Sequence, residues 1–107
     1  MTTLYVAGPM TNYPEFNYPA FVAAAGWLYR LGYDVLSPTD SEHENTDSEK
    51  YGKSKNWYMR RALRMVTQAD GIALLDGWEN SEGVQQEIEV AQMLELDIRP
   101  LRDWLRT

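Results

Sequence analysis

Ser81, Gly83 and Glu87 are the residues whose types and spacing point most directly to chemistry. Ser81 is suited to cap a helix N-terminus, because its hydroxyl accepts from a free first-turn amide. Gly83 lets a ligand approach the backbone closely, and the first-turn amides with the helix dipole then make an anion pocket. Val84, Ile88, Ala91 and Leu94 recur at helical spacing and are expected to face the core. Glu87 lies three residues after Val84 and four before Ala91, so it is expected at the edge of that stripe, half sheltered from water. A carboxylate so placed beside an anion pocket suits covalent attack on a sugar carbon. The same spacing also fits a solvated glutamate favoured by the helix dipole. What the rest of the chain brings nearby decides between them.

The elements that must position these residues alternate. Thr3–Ala7 is short, apolar and β-favouring, and it stops at Gly8-Pro9. The loop Gly8–Tyr18 combines glycine, two prolines, two asparagines and three aromatics, a mixture able to hold a base or sugar or to cover the sheet edge. Pro19 fits a helix first turn, Phe21, Ala24, Ala25, Leu28 and Leu31 follow helical spacing, and Gly32 supplies a stop. Tyr33–Leu36 reads as a second strand ended by Ser37-Pro38, which makes a βαβ unit with parallel strands. Thr39–Lys55 is polar and acidic and is expected to be a variable surface loop. A helix from about Asn56 to Gln68 carries Trp57, Ala62, Leu63 and Val66 on its apolar side. Arg60, Arg61 and Arg64 make it the most basic part of the chain, mostly solvated or paired, with one able to reach an anionic ligand. Gly71–Leu75 is a third strand, the Glu87 helix follows, Asp97–Arg99 is a short fourth strand, and Leu101–Arg106 forms a last helical turn.

Strict alternation of strand and helix predicts one α/β domain over residues 1–107, a Rossmann/flavodoxin-like three-layer sandwich with a parallel sheet. Ligands of such sheets bind outside the carboxyl ends of the strands. The loops there are Gly8–Tyr18, Ser37–Lys55 and Asp76–Gly83, the richest in small polar and aromatic residues. Asn17, Asp40 and Asp76 lie on these loops and are candidate substrate-binding residues. Trp78, Phe16 and Tyr18 are candidate base-stacking surfaces, or equally covers for the sheet edge or a dimer interface.

Composition narrows the partners. A chain of 107 residues, 44% hydrophobic, suits a single domain with a modest core. Its net charge of −6 argues against unaided nucleic-acid binding, which wants a basic face. A small anion is still admissible, since backbone amides need no net positive charge. With no cysteine and one histidine, His43, thiol catalysis and a His-based metal cluster within one chain are excluded, and no metal or cofactor is expected. His43 itself, in the acidic loop, reads mainly as a solvated side chain. The polar N-terminus runs straight into a strand, so no signal peptide is expected. No apolar run approaches the roughly 18 residues of a membrane span, so a cytoplasmic protein without a membrane partner is expected.

Tyr5-Val-Ala-Gly-Pro9, Ala69-Asp70-Gly-Ile-Ala-Leu-Leu75 and Ser81-Glu-Gly-Val-Gln-Gln-Glu87-Ile-Glu-Val-Ala91 together resemble the nucleoside 2-deoxyribosyltransferases. They are closer still to the nucleoside 5′-monophosphate N-glycosidase branch and its small phage and bacterial relatives. The resemblance spans nearly the whole chain and is weakest across Thr39–Lys55. It implies cleavage or transfer of the N-glycosidic bond of a (deoxy)nucleoside or its 5′-monophosphate, with Glu87 as nucleophile forming a glycosyl ester. It implies a role near sugar and nucleophile for Tyr5, a substrate-binding turn at Gly8, Pro9, Met10 and Thr11, and a 5′-phosphate site at Ser81 and Gly83. It also implies a homodimer or higher homo-oligomer.

One position departs from the family. The acid that orients the nucleophile and helps protonate the leaving base falls eight residues before Asp70, where this chain has Ala62. General acid–base help is typically worth about 10²–10⁴-fold. Either another acid substitutes, Asp40 and Asp76 being candidates, or activity is reduced or lost. The alternative to the enzyme is therefore a catalytically weak module that binds or senses a nucleotide.

Overall fold

In the computed structural model, residues 2–39 and 55–106 are described. Four strands form one sheet: β1 (Thr3–Ala7), β2 (Asp34–Leu36), β3 (Gly71–Leu74) and β4 (Asp97–Pro100). The spatial order is β2-β1-β3-β4, and every pairing is parallel. Tyr5 stands opposite Leu36 on one side and Ile72 on the other. Because β2 is added to one side of β1 and β3 to the other, the order reverses between β1 and β3. That is where such a sheet opens a crevice at its carboxyl end. The expected α/β fold with its parallel sheet is the fold observed.

Four helices cover the sheet: α1 (Tyr18–Arg30), α2 (Lys55–Gln68), α3 (Glu82–Met93) and α4 (Leu101–Leu105). Side chains alternate along a strand, so β1 splits its residues between two cores. Leu4 and Val6 join Phe21, Ala24 and Leu28 of α1 and Trp104 of α4. Tyr5 and Ala7 join Val66 beside α2's Ala62 and Met65, with Val84 and Ala91 of α3. The result is three layers, α1 and α4 on one face and α2 and α3 on the other. Trp104 is fixed by an indole N–H donated to the Ile72 carbonyl (2.8 Å).

Two residues expected in the core lie outside it. Leu31 is 43% exposed and Leu94 46% exposed. Each sits at the C-cap of its helix, just past the last full turn, where the chain leaves the apolar stripe. Leu96 packs against the core where Leu94 does not. The boundaries move slightly elsewhere: Lys55 is already helical, α3 begins at Glu82, and β4 extends to Pro100.

The β1–α1 loop has an uncommon backbone. Glu15, Phe16 and Asn17 all take left-handed φ values, 53°, 53° and 63°, in one turn after Pro14. Each such residue without a glycine costs on the order of 1 kcal/mol, so surrounding contacts must hold the turn. One of them is Asn17, whose side-chain amide donates to the Pro9 carbonyl (2.9 Å).

Candidate active site

Ser81 caps α3 as its position predicts, with its hydroxyl accepting from the Val84 amide (3.3 Å). The turn before it, Trp78–Asn80, brings the chain from β3 to the helix. Val84 and Ala91 then lie against the sheet, and Glu87, between them in the helical period, is carried inward with them. Glu87 is only 6% exposed, deeper than the half-sheltered position its spacing implies. Tyr5, projecting from the middle of β1 toward the same face, is 1% exposed and donates its phenolic O–H to Glu87 Oε2. A strand at the N-terminus and a helix near the C-terminus thus meet in one buried polar pair.

Burial is the main force on the titration of this pair. Removal from water disfavours the carboxylate and pushes the Glu87 pKa up to about 7, against the lowering effect of the Tyr5 hydrogen bond. The Tyr5 phenol is raised well above 10, first by burial, then by the Glu87 charge and the hydrogen bond to it, with Arg61 acting in the opposite direction. Tyr5 therefore stays protonated at neutral pH, while Glu87 is divided between acid and carboxylate. A carboxylate that ionises near neutrality, with a fixed donor on one oxygen, leaves the other oxygen available for attack or proton transfer.

The loops that follow β1 and β3 are packed on one another. Gly8, directly after β1, allows the Leu75 side chain to close in, since a Cβ there would lie 2.8 Å from Leu75 Cβ. Gly77 has φ +89° and leaves room for the Tyr13 hydroxyl and for Pro9. Pro9 is buried and Met10 packs against the α1-side core, while Thr11 is exposed. The turn Gly8–Thr11 is thus mostly a framework element, with Thr11 its one fully open side chain. Asn17 serves first as the clip on the Pro9 carbonyl.

Gly83 needs no glycine for the fold. A Cβ there would meet nothing closer than Met59 Cε at 3.6 Å, an ordinary contact. Its amide lies in the first turn of α3, where helices leave N–H groups without intrahelical acceptors. Ala62 packs against the core that contains Tyr5 and Val84, so the methyl group occupies the side of α2 that faces the pair's surroundings. Its neighbour Arg61 is half-buried and donates to the Pro38 carbonyl (3.2 Å), tying α2 to the chain just beyond β2. The spacing shows α2 to be basic but not which arginine turns inward; that depends on the Pro38 contact, made across the loop.

Other expected site residues fall elsewhere. Asp76 is exposed and lines a groove of about 570 Å³ on the α1 and α4 side, with Tyr13, Asn17, Trp27 and Leu101. It is on the same rim as the Tyr5–Glu87 pair but opens to the other face of the sheet. Phe16 is 65% exposed, Tyr18 is half-buried, and Trp78 packs on the α2–α3 core. Asp40, His43 and the rest of residues 40–54 lie outside the described residues. Among the described residues there is no group of three His, Cys, Asp or Glu side chains arranged for a metal ion. No helix among them is long and apolar enough to cross a membrane.

Comparison with solved structures gives two similar folds. A 2-desoxiribosyltransferase from Leishmania mexicana superposes with a TM-score of 0.69 at 17% identity, over 94% of this chain and 63% of that one. A 2-deoxyribosyltransferase from the psychrotolerant bacterium Bacillus psychrosaccharolyticus gives a TM-score of 0.69 at 19% identity, over 91% and 69%. At such identities the likeness is one of fold. The chain spans less than two thirds of the length of the Leishmania protein. No curated protein matches it in sequence. A family model described as a domain of unknown function, DUF4406, matches residues 2–99, and the chain belongs to that family.

Proposed function

We propose that this domain is an enzyme that breaks the N-glycosidic bond of a (deoxy)nucleoside or its 5′-monophosphate through a covalent glycosyl ester on Glu87. The observation that carries the proposal is the buried Tyr5–Glu87 pair, set at the strand-order reversal of a fold shared with 2-deoxyribosyltransferases. Glu87 attacks C1′ as the carboxylate and displaces the base; water then hydrolyses the ester, or a second base accepts the sugar. This is the two-step course of retaining glycoside cleavage. Tyr5 holds one carboxylate oxygen and leaves the other for the sugar. The α3 N-terminus, with Ser81 and Gly83, receives the 5′-phosphate on first-turn amides. The functional unit in this proposal is a homodimer, which sedimentation of the purified protein tests.

Ala62 favours a second reading. A small apolar side chain where the related fold would carry an acid is compatible with a module that binds a nucleotide and does not turn it over. Incubation with a panel of nucleoside and deoxynucleoside 5′-monophosphates, with free base followed by chromatography, separates the two. Release of base by the unmodified protein and its loss in Glu87→Ala support the enzyme. Release only by Ala62→Asp indicates the right scaffold without its acid. Turnover that survives Glu87→Ala contradicts the assignment of the nucleophile, and nucleotide binding without release from any variant favours the binding module.

A further inference from the structure

Arg61 is a cation on α2, on the same face of the sheet as α3, and it is tied to the chain just beyond β2. Tyr5 is opposite Leu36 in the sheet, and Pro38, two residues beyond Leu36, accepts a hydrogen bond from Arg61 Nη2 at 3.2 Å. The guanidinium is thereby held at the carboxyl end of β2, while Glu87 reaches Tyr5 from α3. Apart from that bond, its N–H donors have no hydrogen-bond acceptor among the described residues. Its charge bears on the Tyr5 phenol, lowering its pKa against the larger effect of burial.

That placement matters because of where charge goes. In the first step a lone pair of the Glu87 carboxylate forms the bond to C1′. The C1′–N bond breaks, and its electron pair stays on the base. Negative charge therefore leaves Glu87 and appears on the leaving group. A cation against Glu87 would stabilise the starting state and slow the reaction. A cation held at the carboxyl end of β2, in this proposal nearer to the leaving group than to the nucleophile, stabilises the charge that develops more than the starting state, which is the kind of contact that accelerates a step. Ala62 supplies no proton from the neighbouring position, so a base that leaves as a delocalised anion is favoured over one that must be protonated first.

We propose, building on the glycosidase reading above, that Arg61 binds the departing base as its anion. The preferred substrates are then nucleosides of oxo-bearing bases, pyrimidine-2,4-diones and 6-oxopurines, over those of aminopyrimidines and 6-aminopurines. The ring carbonyls of such a base carry the displaced electron pair and accept from the guanidinium. The anion takes a proton from solvent, and the water that opens the ester gives its hydroxyl to C1′ and its other proton back to solvent, which restores the Glu87 carboxylate. The net reaction is nucleotide plus water to free base plus sugar phosphate.

The test is kcat/KM for base release from matched pairs, uridine against cytidine and inosine against adenosine 5′-monophosphates, in the ribose and deoxyribose series. The unmodified protein is compared with Arg61→Ala and Arg61→Lys. The oxo member of each pair is expected to be faster by about tenfold or more. Arg61→Ala should slow the oxo members by about 10²-fold, as for loss of one transition-state donor, and the amino members far less, so that the ratio falls toward one. Arg61→Lys, which keeps the charge but not the planar fork, should fall between. A purely structural role would slow both members equally and leave the ratio unmoved. If Arg61→Ala does not fold, the ratio in Arg61→Lys decides by the same criterion. An unmoved ratio, or an amino base preferred by the unmodified protein, overturns the role of Arg61 and leaves the glycosidase reading standing. No base released from any substrate overturns both.

Discussion

The two faces of the sheet are built from the same strands and do different things. On the α1–α4 face the core runs from Leu4 and Val6 through Phe21 and Leu28 to Trp104, and no charged side chain is buried with it among the described residues. On the α2–α3 face Tyr5, Ala7, Val66, Ile72, Val84 and Ala91 enclose a carboxylate. Burying an ionisable group costs free energy unless it is neutralised or well partnered, and a leucine at position 87 would cost nothing of the kind. Both faces bury an apolar core of similar extent. The α2–α3 face gives up part of the resulting stability to keep Glu87 out of water, poised to ionise near neutral pH.

The contrast can be broken at four places, in order of decreasing effect. Leu28→Ala, in the α1–α4 core, should lower stability by about 2–5 kcal/mol, read from chemical denaturation. It should affect base release only through loss of folded protein. Glu87→Leu should behave oppositely, abolishing turnover and removing a pH dependence of stability, though it also leaves the buried Tyr5 hydroxyl without its acceptor. Because the folded-state pKa of Glu87 is raised to about 7 from an ordinary 4.5, the folded state holds the proton more tightly than the unfolded one. The stability this contributes is fully present below about 4.5 and is lost as pH rises through about 7. The stability of Glu87→Leu relative to the unmodified chain should therefore rise by about 2–3 kcal/mol between pH 5 and pH 8. A pH-independent difference would show that Glu87 titrates normally.

Tyr5→Phe removes the hydrogen bond that opposes burial. The Glu87 pKa should move further up, so the rise of kcat/KM with pH should shift to higher pH, with a loss of about tenfold at pH 7. Unchanged midpoints would mean that the pair is not coupled in solution. The smallest effect belongs to Gly83→Ala. Alanine fits the space there and is the better helix former by about 0.5–1 kcal/mol. A slightly raised Tm with weakened binding of a 5′-monophosphate, and unchanged binding of the unphosphorylated nucleoside, is the expected outcome.

Much of this was legible in the sequence, because most of the cues are local. The N-cap at Ser81, the alternation of strands and helices, and the βαβ unit depend on residues within a turn or two of one another. The predicted positions went wrong where a pattern was carried one step past its element, as at Leu31 and Leu94. They also went wrong where burial is decided by a partner far along the chain. Spacing put Glu87 at the edge of the stripe; contact with Tyr5, 82 residues away, takes it inside. Likewise nothing in the run of arginines distinguishes Arg61 until Pro38, 23 residues earlier, is seen to accept from it. Asp76, directly after β3, lines the groove on the α1–α4 side, next to Gly77, whose missing side chain leaves room for Tyr13 and Pro9.

The most direct test of the central claim is to look for the ester itself. The protein would be mixed with a nucleoside 5′-monophosphate that it cleaves, or its slow 2′-fluoro analogue, quenched in acid, and examined by intact and peptide mass spectrometry. A mass increment equal to the sugar phosphate, confined to the peptide bearing Glu87, absent in Glu87→Gln and formed together with one equivalent of free base, is the predicted result. Free base released without any adduct on the protein, at a rate that Glu87→Gln preserves, would contradict it.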